Sequence, residues 1–219
     1  MNSSGHIGGR GGFTLVELVT VVAILAVVST LGTMAFFNID KHWRSVHTRS
    51  ELHAAADTIF EHMRRDFAGT LSPQRTGVAL RGIDAEYTQA DEADRFWRII
   101  FDDDRIVVPV AMYNSAEGYE ERRRVMYRVV RREEEPPVLV RSAGPLNAEK
   151  PEDNQAVVPS GGTAAVLAMA VEYAKDGQWH NAWERADNPD AVRVSLTLMH
   201  PQRFFEQVAR KAVFPIHVP

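Results

Sequence analysis

The chain contains no cysteine. Disulfides, thiolate zinc sites, iron–sulfur ligation and a cysteine nucleophile are therefore excluded. This absence names no compartment, because an exported protein can simply lack disulfides. Basic charge is not in excess either: 25 Lys and Arg stand against 29 Asp and Glu, for a formal net charge of -4. A nucleic-acid binder normally shows a basic patch, so no nucleic acid is expected as a partner. The chain has no HExxH, HxH, GxSxG or Walker pattern and no internal repeat. The run Gly8-Gly9-Arg10-Gly11-Gly12 is Gly-rich like a phosphate loop, yet it lacks the preceding strand and the closing Lys-Ser/Thr. No enzyme activity, cofactor or metal is expected on these grounds.

What is present is ordinary for a folded chain, with 45% hydrophobic and 25% charged residues among 219. That length suits one domain with an appendage and buries a core without staples. The N-terminus departs from the average. Residues 1–12, MNSSGHIGGRGG, are small, polar and Gly-rich, with Arg10 the only charged side chain. Residues 13–37, FTLVELVTVVAILAVVSTLGTMAFF, are apolar apart from Glu17, four Thr, one Ser and one Gly. As a helix that run would span ~37 Å, against about 30 Å of bilayer hydrocarbon. Glu17 would cost roughly 2.5–3.5 kcal/mol at a bilayer centre and less near its edge. It is either a carboxylate kept wet at the headgroups or one kept for a partner charge.

Gly12-Phe13-Thr14-Leu15-Val16-Glu17, after a short hydrophilic leader and before an apolar helix, resembles the class III signal of type IV pilins and pseudopilins. The resemblance implies a leader at 1–12 that a prepilin peptidase removes between Gly12 and Phe13. It implies N-methylation of Phe13, and a role in filament assembly for Glu17, which would meet an N-terminal amine. A carboxylate in the first turn is favoured by the helix dipole, and an ion pair in hydrocarbon matters mainly because the unpaired state is worse. Major pilins of this family carry a Pro further along; here that stretch is Leu31-Gly32-Thr33-Met34-Ala35, which suits a minor subunit.

Beyond the apolar run, residues 38–68 continue as an amphipathic helix. Leu52, Ala55, Ala56, Ile59, Phe60, Met63 and Phe67 follow helical spacing, and Pro73 marks the stop region. The period then changes to two in a head expected over 75–219. Val125, Tyr127 and Val129 alternate with their neighbours, as do Leu167, Met169, Val171 and Tyr173, and Val192, Val194, Leu196 and Leu198. Further strands are expected at Trp97–Phe101, Arg105–Met112 and Val138–Arg141. Turns are expected at Asp102-Asp103-Asp104, Glu134-Glu135-Pro136-Pro137 and Asp176-Gly177. Residues 144–162 read as a surface loop. The whole is an α+β layout, a long N-terminal helix packed on an antiparallel β-rich head.

Val171-Glu172-Tyr173, Asp176-Gly177-Gln178-Trp179, Trp183, Pro189 and the strand 191–198, with Met63-Arg64-Arg65-Asp66-Phe67, resemble the J-type minor pseudopilin of type II secretion systems. That resemblance implies I- and K-type minor pseudopilins and the major pseudopilin as partners. It implies an inner-membrane, single-pass protein with a cytoplasmic N-terminus before cleavage and a periplasmic head. A minor subunit of a type IV or competence pilus is the near alternative. A more distant one is a secreted binding protein with a conventional signal peptide, using Leu18–Val28 as its apolar region and Thr33-Met34-Ala35 as its cut site. An unprocessed single-pass sensor is another.

The remaining clusters read as surface features. His42, His47, His53 and His62 are never spaced i, i+4, and zinc wants ligands so placed. Asp102-Asp103-Asp104 reads as a solvated turn, since the spaced ligands of a calcium loop are missing. Arg122-Arg123-Arg124, beside Arg131, Arg132 and Glu133-Glu134-Glu135, reads as a solvated, charge-protected strand edge. Trp179 and Trp183 are candidate partner anchors or core residues.

Overall fold

The computed structural model describes residues 14–90, 98–114, 118–132, 135–147, 154–160 and 164–216. The leader therefore lies outside the described residues, as do Gly12, Phe13 and Trp97. The chain divides into two compact units, Met1–Val46 and His47–Pro219.

Helix α1 spans Leu15–Ala68. In the first unit its large apolar side chains from Leu15 to Phe37 are all exposed, and so are Ile39, Trp43 and Val46. Three threonine hydroxyls there are satisfied within the helix. The Thr20, Thr30 and Thr33 hydroxyls donate to the carbonyls of Val16, Ala26 and Ser29, each at 2.8 Å. Back-bonding of this kind hides hydroxyls from an apolar medium. The helix is long and apolar enough to cross a membrane.

In the second unit the stripe expected from helical spacing is the buried one: Leu52, Ala55, Ala56, Ile59, Phe60, Met63 and Phe67. Burial begins at Thr48, so residues 38–47 do not share it. The helix ends at Ala68, ahead of Pro73, where Gly69 N–H bonds the Arg65 carbonyl at 3.2 Å. Pro73 instead opens a short helix, α2, Pro73–Thr76.

The head is antiparallel. A five-stranded sheet has the order β1 (Arg81–Ile83), β4 (Arg105–Asn114), β5 (Tyr119–Arg132), β6 (Glu135–Pro145), β7 (Asn154–Val157). A four-stranded sheet has the order β11 (Arg203–Pro215), β10 (Ala191–His200), β8 (Ala165–Lys175), β9 (Gln178–His180). A hairpin joins β2 (Glu86–Ala90) to β3 (Arg98–Asp102). The α+β expectation holds. One core runs from the helix stripe through Val125, Tyr127 and Val129 to Val192, Val194, Leu196 and Leu198. Asp176-Gly177 is the two-residue turn between β8 and β9, with φ of 51° and 77°, as Asp-Gly hairpins require.

Three expectations need correction. Leu167 is not in the buried phase; Val166 is, because a bulge opposite Thr197 and Leu198 shifts the register. The stretch 144–162 is not loop throughout, since Asn154–Val157 pairs with β6 as an outer strand. Arg122–Arg124 lie on β5, which is paired on both sides, by β4 and by β6, and is no edge.

The two sheets meet through a close contact at Gly82. A Cβ there would stand 2.0 Å from the Tyr173 ring, so only Gly lets β1 approach β8. Gly82 also exchanges two backbone hydrogen bonds with Trp183, at 2.8 and 3.1 Å.

Candidate functional site

The N-terminus of α1 is closed by a reciprocal cap. Thr14 donates its N–H to Glu17 Oε2 at 3.1 Å and its hydroxyl to the same oxygen at 3.2 Å. In return Glu17 N–H donates to Thr14 Oγ1 at 3.3 Å. This is the Thr-x-x-Glu capping box, in which two otherwise orphaned donors are satisfied. The helix dipole adds to it, because Glu17 lies in the first turn. The sequence signal for it is the Thr-x-x-Glu spacing of Thr14-Leu15-Val16-Glu17. Chemically, it holds the carboxylate at the amide that follows Phe13. A cationic amine brought to this end would meet an anion already oriented.

At the other end of α1, Asp66 ties the helix to the five-stranded sheet. Arg141 Nε donates to Asp66 Oδ2 at 2.7 Å and its Nη2 to Oδ1 at 3.0 Å. The Tyr127 hydroxyl donates to the same carboxylate. The Asp66 hydrogen bond and charge hold Arg141 more firmly protonated. Burial first, then Asp66, pushes the Tyr127 phenol far above its ordinary range. The three residues are 61 and 75 positions apart in sequence, and no local pattern announces them.

Asp102-Asp103-Asp104 is not a solvated turn. Asp104 is buried and accepts the N–H groups of Ala85 at 3.0 Å and Val171 at 2.7 Å. Asp103 pairs with Arg131 at 2.8 Å. Burial raises the Asp104 carboxyl to about 6, with Asp84 and Asp102 adding to the rise and the two N–H groups opposing it. A triple Asp is usually wet, and here one member bridges the β1–β2 turn to β8.

The two tryptophans separate. Trp183 is buried, its indole N–H donating to the Asp187 carbonyl at 2.8 Å, and it packs on Tyr173 with ring centroids 6.2 Å apart. It is a core residue and no surface anchor. Trp179 is exposed, with the Arg193 guanidinium 4.2 Å from its ring centroid. Among the described residues no group of His, Asp and Glu could hold a metal ion.

A long apolar helix opened by a capped Glu thus precedes a β-rich head. The sequence pattern of the prokaryotic N-terminal methylation motif matches residues 8–33. The chain thus carries the N-terminal methylation motif of type IV pilins. No curated protein matches the chain in sequence. Among solved structures it is similar to a chain of the GspK–GspI–GspJ complex of the enterotoxigenic Escherichia coli type 2 secretion system. That likeness is at 15% identity, over 75% of this chain and 97% of that one, with a TM-score of 0.42. It is also similar to a type IV-like pilin from Thermus thermophilus, at 13% identity over 77% of this chain and 96% of that one, with a TM-score of 0.47.

Proposed function

We propose that the chain is a minor pseudopilin, a structural subunit of the pseudopilus tip in type II secretion, and not an enzyme. In this reading a prepilin peptidase cuts between Gly12 and Phe13, Phe13 is N-methylated, and Glu17 serves assembly. The helix anchors in the inner membrane and the head faces the periplasm. I- and K-type minor pseudopilins and the major pseudopilin are the partners, and export of folded proteins across the outer membrane is the output.

The observation that carries the proposal is a coincidence of positions. The methylation motif at 8–33 overlaps the start of a 54-residue helix whose first turn is capped by Thr14 and Glu17. Gly12 and Phe13 fall immediately before that cap.

The test is the mass of the N-terminal peptide from the membrane fraction of the native host. A peptide starting at Phe13 with one added methyl is expected. A start at Phe36 would make the chain a secreted protein with a conventional signal peptide. Retention of residues 1–12 would make it an unprocessed anchor. Cross-linking of the processed chain then separates pseudopilus from type IV or competence pilus by the subunits recovered.

A further inference from the structure

A cleft of about 460 Å³ opens beside β1, lined by residues 77–81, Arg124 and residues 184–186. Three guanidinium groups, those of Arg81, Arg124 and Arg185, share it with one carboxylate, Glu184. Arg81 Nη2 already holds that carboxylate, at 2.9 Å from Oε1. The lining keeps a positive excess in a chain whose net charge is -4. Burial and the nearby Arg81 charge both push the Arg124 guanidinium down, so like charges are held close against their own repulsion. Arg185 is set by its contact with the buried Trp183, its guanidinium carbon 4.9 Å from the ring centroid. Arg122, two residues from Arg124 and on the same face of β5, extends the basic surface, donating to the Arg75 carbonyl at 3.3 Å.

Three backbone donors in the lining are already used. Gly77 N–H bonds Pro73 O at 2.8 Å, Val78 N–H bonds Thr76 Oγ1 at 3.1 Å, and Leu80 N–H bonds Asn188 Oδ1 at 3.0 Å. Those three N–H groups are therefore not free to cradle a phosphate. What the cleft offers is guanidinium forks, which match carboxylates and phosphates, and the one acid it already holds is a carboxylate. Glu184 shows that match within the chain itself.

We infer that this arginine cleft is an interaction surface for an acidic protein segment, whose Asp or Glu carboxylates pair with Arg81, Arg124 and Arg185. The inference stands apart from the N-terminal reading, since nothing in it depends on cleavage or methylation.

The test uses the full chain in dodecyl maltoside micelles and a fluorescein-labelled hexaglutamate peptide, read by anisotropy. Saturable binding is expected, weakening as NaCl is added. Arg124→Gln and Arg185→Gln should each weaken it by about threefold to fivefold, the scale of an accessible ion pair. Glu184→Gln should strengthen it by a similar factor, a gain that no misfolded variant produces. Absence of saturable binding overturns the inference. So does an affinity that neither arginine substitution lowers, or that Glu184→Gln fails to raise. Displacement of the labelled peptide by phosphatidylglycerol in mixed micelles, or by inorganic phosphate, at lower concentration than by unlabelled hexaglutamate would assign the cleft to a phosphate group and also overturn it.

Discussion

Between Leu15 and Phe37, α1 is apolar on nearly every face and its large side chains are all exposed, whereas between Thr48 and Phe67 its apolar side chains form one stripe and that stripe is buried. The backbone is the same continuous helix throughout. A helix that is apolar all round is stable only in an apolar surrounding, while a striped helix needs one apolar neighbour and one aqueous face. The head supplies that neighbour for the second stretch. The large apolar side chains of the first stretch are exposed and fit hydrocarbon or other helices of the same kind. Sequence-distant ion pairs follow the same division. Asp66 is held by Arg141 at the head, while Asp40 pairs with Arg44, one turn away at 2.7 Å and exposed.

Charge removal should break this comparison most sharply. Asp66→Ala leaves Arg141 largely buried without its carboxylate, and loss of one partner of a buried pair costs about 3–5 kcal/mol. Asp40→Ala removes an exposed helix pair worth about 0.3–0.5 kcal/mol. Urea unfolding of the full chain in micelles, followed at the head tryptophans, measures both. Equal midpoints for the two variants would mean that Asp66 does not fasten the helix to the sheet.

Apolar truncation separates the stretches next. Ile59 is fully buried in the head core, and Ile59→Ala should cost about 2–4 kcal/mol through lost transfer energy and the cavity left behind. Ile24 is exposed, and Ile24→Ala should leave head unfolding within about 0.5 kcal/mol. A destabilised head in the Ile24 variant would show that the two units fold as one.

The division was largely legible in the sequence, because a hydropathy run and a helical stripe are local signals. Strands 191–198 and 125–130 were legible for the same reason. What escaped is non-local. The bulge that moves Leu167 out of phase depends on β10 lying opposite. The pairing of Asn154–Val157 depends on β6 offering an edge, in a stretch whose Pro, Gly and polar residues speak for loop. Asp104 is buried only because Ala85 and Val171 bring their N–H groups to it. Of the candidate site, Glu17 and its motif were readable, whereas Trp183 was resolved only by its partners in the core.

Asp104 sharpens the contrast through pH. Its carboxyl stands at about 6 against an ordinary 3.8, chiefly through burial. Between those values the folded head keeps a proton that the unfolded chain has released. More protons bound in the folded state means that stability falls as pH rises through this window, and this contribution is level above and below it. The fall should be on the order of 3 kcal/mol. Glu172, held low by its bond to Arg193, acts in the opposite direction at lower pH, so the useful quantity is a difference in slope. Urea midpoints across the window should fall more steeply for the parent than for Asp104→Asn. Parallel slopes would remove Asp104 as the titrating group.

At the cap the comparison turns from stability of the head, which should not move, to assembly. Thr14→Val removes the hydroxyl that accepts from Glu17 N–H and donates to its carboxylate, leaving only the backbone half of the box. A lost N-cap costs about 1 kcal/mol, confined to the first turn, so head unfolding should not move. Glu17→Ala removes the carboxylate as well. In the proposed reading both variants are still cut after Gly12, because cleavage precedes the use of Glu17. They should then differ: Glu17→Ala should fail to join its partners, while Thr14→Val, which keeps the charge but frees its position, should join them less efficiently. Immunoblots of the membrane fraction score cleavage, and cross-linking scores incorporation. If Glu17→Ala joined as well as the parent, the carboxylate would be a cap alone, and the assembly role would have to lie elsewhere along the exposed stretch of α1.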